Sequence, residues 1–154
     1  QRGPGDETVS ITFEDDLGEM YPFSLADKLA SITEPLDWYQ PGAETPWGGP
    51  VVPIEMLGVL TNAGSKHAGF VARQPSVGLF IDLEVRLLGS PVLVDHTYRI
   101  DREVVALGES RRTESYWTLT TLTDEATGAP TAQVLLHQGV FKDSYPDYPS
   151  AAEA

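Results

Sequence analysis

One carboxylate stands alone in a long apolar stretch of this chain. Glu55, in PVVPIEMLGVLTNAG, is the only ionisable side chain between residues 50 and 65. Burying a carboxylate without a partner is expensive, so such a group has a raised pKa, a partner or a role in moving protons. One reading makes Glu55 a general base that activates water. The other points it out of an open sheet edge, into water or onto an arginine. Gly48 and Gly49 precede the stretch. Glycines there let a ligand approach the backbone, and free N–H groups at a helix start carry partial positive charge suited to a developing oxyanion. The alternative is that they only shape the turn. Asp37, Trp38 and Tyr39, with Trp47, occupy the loop EPLDWYQPGAETPWGG over residues 34–49. Asp37 could serve as a base and Tyr39 as a hydrogen-bond donor, with Trp38 and Trp47 walling an apolar pocket; otherwise the tryptophans are packing anchors.

Arg111 and Arg112, in ESRRTE, could set two guanidinium groups on phosphates. A solvated hairpin turn explains them equally well. The histidines are His67, His96 and His137. None has metal-ligand spacing with another histidine or a carboxylate, and each reads as structural or solvated. His67 comes nearest to a catalytic candidate because it follows the apolar stretch. Gly-x-Ser-x-Gly, the P-loop and Gly-x-Gly-x-x-Gly are absent, which removes the standard hydrolase and nucleotide-binding readings.

These residues need a scaffold, and 154 residues supply one domain with a full core. The net charge of −13 argues against nucleic acid and anionic membrane surfaces as partners. No cysteine is present, so thiolate chemistry and disulfides are excluded. No apolar run reaches the roughly 18–20 residues that span a bilayer, and no charged-then-apolar signal pattern opens the chain. The expected compartment is the cytoplasm.

Residues 1–7 are expected to be disordered, 8–142 to form the domain, and 143–154 to trail over the surface through Tyr145 and Tyr148. Residues 8–13 alternate as a strand, Ser24 caps a short helix over 25–33, and Pro35 helps to end it. The stretch from residue 50 is apolar almost all round, which predicts a buried helix starting near Pro50 and ending around Gly64 or Gly69. Strands follow over 79–88, 92–107, 112–123 and 131–142, with turns at 89–91, 108–110 and 124–130. Consecutive strands with short turns give an antiparallel meander. The fold class is α+β: a curved antiparallel sheet wrapped around one long buried helix.

ITFEDDLGEMYPFSLADKLASITEPLDWYQPG, TPWGGPVVPIEMLGVL and SPVLVDHTYRIDREVVALGESRRTESYWTLTTLTDEATGAP resemble, in that order, three parts of the MaoC-like hydratases and dehydratases. These are the N-terminal segment, the central helix with its approach, and the strand meander of that hot-dog family. The resemblance covers most of residues 9–142. It implies a hot-dog fold, a homodimer or heterodimer with another hot-dog chain, an acyl-CoA or acyl-carrier thioester as substrate, and no further cofactor. The implied reaction is addition of water to an enoyl thioester, or its removal. The hydratase loop reads roughly Gly-Asp-x-Asn-Pro-x-His. With Pro35 on the motif proline, Ile32 and Asp37 stand where the Asp and His belong, and no histidine precedes His67. Some hot-dog thioesterases resemble the Gly-Gly and helix-carboxylate arrangement, which here is one residue shorter. Three functions follow: a hydratase or dehydratase using Asp37, Tyr39 or Glu55; a thioesterase using Glu55 with the Gly49 region polarising the carbonyl; or a catalytically silent acyl-binding subunit.

Overall fold

The computed structural model describes residues 6–12, 25–31, 36–61, 75–145 and 148. Five strands form one antiparallel sheet: β1 (Glu7–Thr12), β2 (Gly78–Leu87), β3 (Thr97–Glu109), β4 (Thr113–Asp124) and β5 (Pro130–Phe141). Their order is β1-β3-β4-β5-β2. The runs of Val, Thr, Ile, Tyr and Trp that fill them fit a pleated, half-buried surface. Two helices are described, α1 (Leu25–Ser31) and α2 (Ile54–Thr61). Among the described residues no helix is long and apolar enough to cross a membrane.

The register decides which side chains meet α2. β4 and β5 pair without interruption from Thr113↔Phe141 to Leu122↔Ala132. Because side chains alternate, Glu114, Tyr116, Thr118, Thr120 and Leu122 share a face with Ala132, Val134, Leu136, Gln138 and Val140. Met56, Leu57 and Leu60 of α2 enter one buried cluster with Ile11, Val92, Val94, Tyr98, Ile100, Leu122, Ala132 and Val134 on that face. Gly58 lets α2 lie close to β2. A Cβ at this position would sit 2.8 Å from Leu83 Cδ2.

Four expectations need correction. Consecutive strands do not all pair: β3, β4 and β5 form a meander, whereas β2 pairs with β5 at the sheet edge and not with β3 across the 89–91 turn. The helix begins at Ile54, and Pro50–Pro53 run extended: Val52 N–H bonds Val92 C=O (2.8 Å), Val94 N–H bonds Pro50 C=O (2.9 Å), and Val51 bridges Leu93. Pro53 explains this, because a residue preceding proline is pushed out of the helical region. The third long strand accordingly starts at Thr97, after a turn in which Asp95 takes φ 61°. In β2 the alternation breaks between Phe80 and Asp82, so Ile81 bulges out of register and Phe80 joins the helix-facing side opposite Gln138. Phe13, Ser24, Ile32, Pro35, the C-terminal end of the central helix near Gly64 or Gly69, and His67 lie outside the described residues.

The β4–β5 turn is held by one side chain. Asp124 Oδ1 accepts hydrogen bonds from Ala126 N–H (2.8 Å) and Thr127 N–H (3.0 Å), and Oδ2 faces His96 Nδ1 at 3.5 Å. Burial works against its ionisation, yet the bonds from Thr127, His96 and Ala126 hold the carboxyl below its ordinary pKa. A depressed acid contributes stability above its unfolded pKa and loses it as pH falls through the folded one. Removing the acceptor in Asp124→Ala is therefore expected to cost about 1–3 kcal/mol at neutral pH. The deficit should shrink below about pH 4, where wild type loses the same charge. Chemical denaturation at pH 7 and pH 3 checks this, and an undiminished deficit at pH 3 would count against it.

Candidate active site

The loop before α2 gathers most of the residues singled out above. Leu36 C=O accepts from Tyr39 N–H (3.0 Å) and Asp37 C=O from Gln40 N–H (3.1 Å), so Asp37–Tyr39 form one tight 3₁₀ turn. Trp38 C=O accepts from Val51 N–H at 2.8 Å, which ties that turn to the chain leading into α2. Trp47 meets Trp38 edge to face, with ring centroids 5.0 Å apart and planes at 84°. Both rings, together with Leu36 and Ile54, stay substantially exposed. The result is an apolar wall open to solvent beside the start of α2, with Asp37 exposed and Tyr39 half-buried on the same turn.

Thr45 organises the glycines. Its hydroxyl donates to Gly49 C=O (2.6 Å) and accepts from Gly49 N–H (3.4 Å) and Trp47 N–H (3.3 Å), while its carbonyl accepts from Gly48 N–H (3.0 Å). Gly48 has φ +95°, a conformation that favours glycine. This corrects the expected oxyanion role in one respect. The Gly48 and Gly49 amides are engaged within the turn, and α2 starts only at Ile54. Apart from the adjoining residues, nothing lies within 4 Å of where a Cβ would stand on either glycine, so both border open space. A Thr-x-x-Gly-Gly run is a recognisable side-chain-capped turn, and that local signal points to Thr45.

Glu55 follows the outward-pointing reading, with a lysine in place of the expected arginine. It lies in the first turn of α2 with 55% of its side chain exposed, and its Oε1 bonds Lys28 Nζ of α1 at 2.9 Å. The helix faces the sheet on one side only, so a sequence that reads as apolar all round leaves Ile54 and Glu55 outside. An ion pair this exposed contributes about 1 kcal/mol at most. With more than half of its surface exposed, the Glu55 carboxylate is reachable by water. Nothing in the sequence pairs Lys28 with Glu55, because the partners belong to separate elements.

Arg111 and Arg112 occupy the exposed turn between β3 and β4. The loop of Trp38 and Trp47 joins the sheet beside Leu93, just before β3 begins. The 13 residues of β3 separate the two places, roughly 40 Å along an extended strand. One chain therefore does not bring the arginines to the tryptophan wall. Two histidines find carboxylates across the sheet: His96 meets Asp124, and His137 Nδ1 lies 3.2 Å from Asp82 Oδ2 while stacking on Trp117 at 3.8 Å. Both pairs are long-range in sequence, so spacing gave no hint of them.

No protein-family description matches the chain, and no curated protein sequence matches it. Solved structures do. A monoamine oxidase regulatory protein from Archaeoglobus fulgius superposes with a TM-score of 0.63 at 12% identity, over 88% of this chain and 89% of that one. A 3R-hydroxyacyl-ACP dehydratase complex, HadBC, from Mycobacterium tuberculosis gives 0.50 at 13% identity, over 59% of this chain and 64% of that one. This chain thus spans somewhat under two thirds of that dehydratase chain. Zebra fish thioesterase superfamily member 2 gives 0.50 at 14% identity, over 90% and 77%. With its five-stranded antiparallel sheet and central helix, the chain has the hot-dog fold.

Proposed function

We propose that the chain processes acyl thioesters, carried by CoA or by a carrier protein, at the mouth formed by the 37–51 loop and the start of α2. The observation that carries this reading is the exposed Trp38–Trp47 wall, bonded through Trp38 C=O and Val51 N–H to the chain that delivers Glu55. Such a wall suits an acyl group and a carboxylate beside it suits proton transfer. The structural neighbours include both a dehydratase complex and a thioesterase superfamily member, which supports the substrate class.

Within it, hydration or dehydration of an enoyl thioester is the first reading, on the MaoC-like resemblance. Asp37 or Glu55 moves the proton and Tyr39 donates to the thioester carbonyl. Hydrolysis is the second reading, favoured by the exposure of Glu55, which lets water reach it directly. The reaction is proposed to need no cofactor, and the working form to be a dimer of this chain or a pair with another hot-dog chain.

Saturated and enoyl-CoA panels, followed for thiol release and enoyl absorbance in the same samples, separate these readings. Loss of enoyl absorbance without thiol release is expected for the hydratase. Thiol release that falls at least 100-fold in Glu55→Gln is expected for the thioesterase, on the general scale of acid–base contributions. Acyl-CoA binding with neither signal would assign a silent subunit, and no binding at all would sink the proposal.

A further inference from the structure

At the far end of the sheet from this loop, a cavity of about 550 Å³ opens on the helix-facing side, lined by Leu107, Glu109, Glu114, Tyr116, Val140 and Tyr145. The register accounts for its composition. Leu107, Tyr116 and Gln138 stand side by side on one cross-strand row, and Glu109, Glu114 and Val140 on the next. Two carboxylates directly opposite each other on neighbouring strands repel. Around them are an aliphatic wall and two tyrosine rings. Leu107 is 78% exposed, an apolar surface left without cover.

Of the two carboxylates, Glu109 has an ionic partner among the described residues and Glu114 has none. Lys142 Nζ bonds Glu109, and that bond raises the lysine's pKa above its ordinary value. Glu114 receives the neutral Tyr148 hydroxyl at 2.9 Å. Among the described residues neither Arg111 nor Arg112, in the adjacent turn, makes an ion pair. The same rim already holds one ammonium by a carboxylate and an aromatic face, since Lys142 Nζ also lies 5.4 Å from the Tyr148 ring centroid. Tyr145 and Tyr148 stack with centroids 5.9 Å apart, closing that side. Tyr116 donates to Gln138 Oε1 at 3.2 Å, which fixes its ring on the floor.

We propose that this cavity is a second binding site, separate from the 37–51 loop, for an organic ammonium with an apolar body. Carboxylate and tyrosine rings recognise the cationic head, and Leu107 and Val140 cover the tail. The volume falls within the range of small-molecule sites. A chain with net charge −13 favours a cation over an anion in the surrounding field. The site does not depend on the thioester reading.

Calorimetric titration with hexyltrimethylammonium and with hexanoate tests it, since the two share an alkyl tail and differ in the sign of the head. The ammonium is expected to bind with a millimolar or tighter Kd, roughly what a ligand of this size reaches, and hexanoate not to bind. Glu114→Gln, which keeps an acceptor for Tyr148, should weaken ammonium binding roughly tenfold. Equal binding of both probes, binding of neither, or a Glu114→Gln protein that binds the ammonium as wild type does would each overturn the proposal.

Discussion

Leu57→Ala is expected to lower stability by about 2–5 kcal/mol. Leu57 is 1% exposed and belongs to the cluster that joins α2 to β1, β3, β4 and β5. Truncation removes its transfer energy and leaves a void that the surrounding strands cannot fill, because each is fixed by its own hydrogen-bond ladder. Domains of this size hold about 5–15 kcal/mol in total, so the variant keeps a reduced margin and melts roughly 5–15 °C lower. Ile54→Ala, three residues earlier on the same helix, is the control. Half of Ile54 is exposed, and its loss should change stability by about 0.5 kcal/mol or less. Thermal unfolding followed by circular dichroism compares the two. Equal, small effects would mean that α2 does not pack on the sheet as described.

The contrast between Leu57 and Ile54 also marks where sequence reading stops. Hydrophobic alternation found the strands because each carries its own pattern of faces. Short turns predicted a meander that holds only for β3, β4 and β5, since the pairing of β2 with β5 is set in three dimensions. The same approach treated α2 as apolar all round, since Ile54 looks no different from Leu57 in composition. Only the path of the chain decides which is covered, and Pro53 sets that path by holding Val52 extended so that Pro50–Val52 pair with Val92–Val94. Alternation places Ile81 in one row with Leu83, Val85 and Leu87, and a single bulge puts Phe80 in that row instead. The loop of Trp38 and Trp47 was legible as a unit, because Pro- and Gly-rich runs of that length are local features. The pairs Lys28–Glu55, His96–Asp124 and His137–Asp82 were not, because they join elements that meet only in three dimensions. Arg111 and Arg112 were legible as a turn, and their distance from the candidate site follows from strand length, which spacing alone does not orient.

That bulge bears on assembly. β2 is an edge strand of the sheet, and edge strands in natural proteins are usually blunted by charge, proline or cover. Here β2 and its flanks present Val77, Phe80, Ile81, Leu87 and Leu88, all exposed, with Phe80 at 64%. An apolar edge with unpaired backbone groups is stable in solution when a second strand pairs with it, and a second copy of β2 is the partner the proposed dimer supplies. The protein is therefore expected to sediment at twice its chain mass of 16.8 kDa. Phe80→Glu should shift it to the single-chain mass at micromolar concentration, because burying an unpaired carboxylate in that contact costs several kcal/mol, at least a hundredfold in Kd. Thr12→Glu, on the opposite edge strand β1, should leave the dimer intact. Sedimentation equilibrium on the three proteins distinguishes the outcomes. A monomeric wild type, or a dimer that survives Phe80→Glu and is lost in Thr12→Glu, would assign the apolar edge of β2 to something other than self-association.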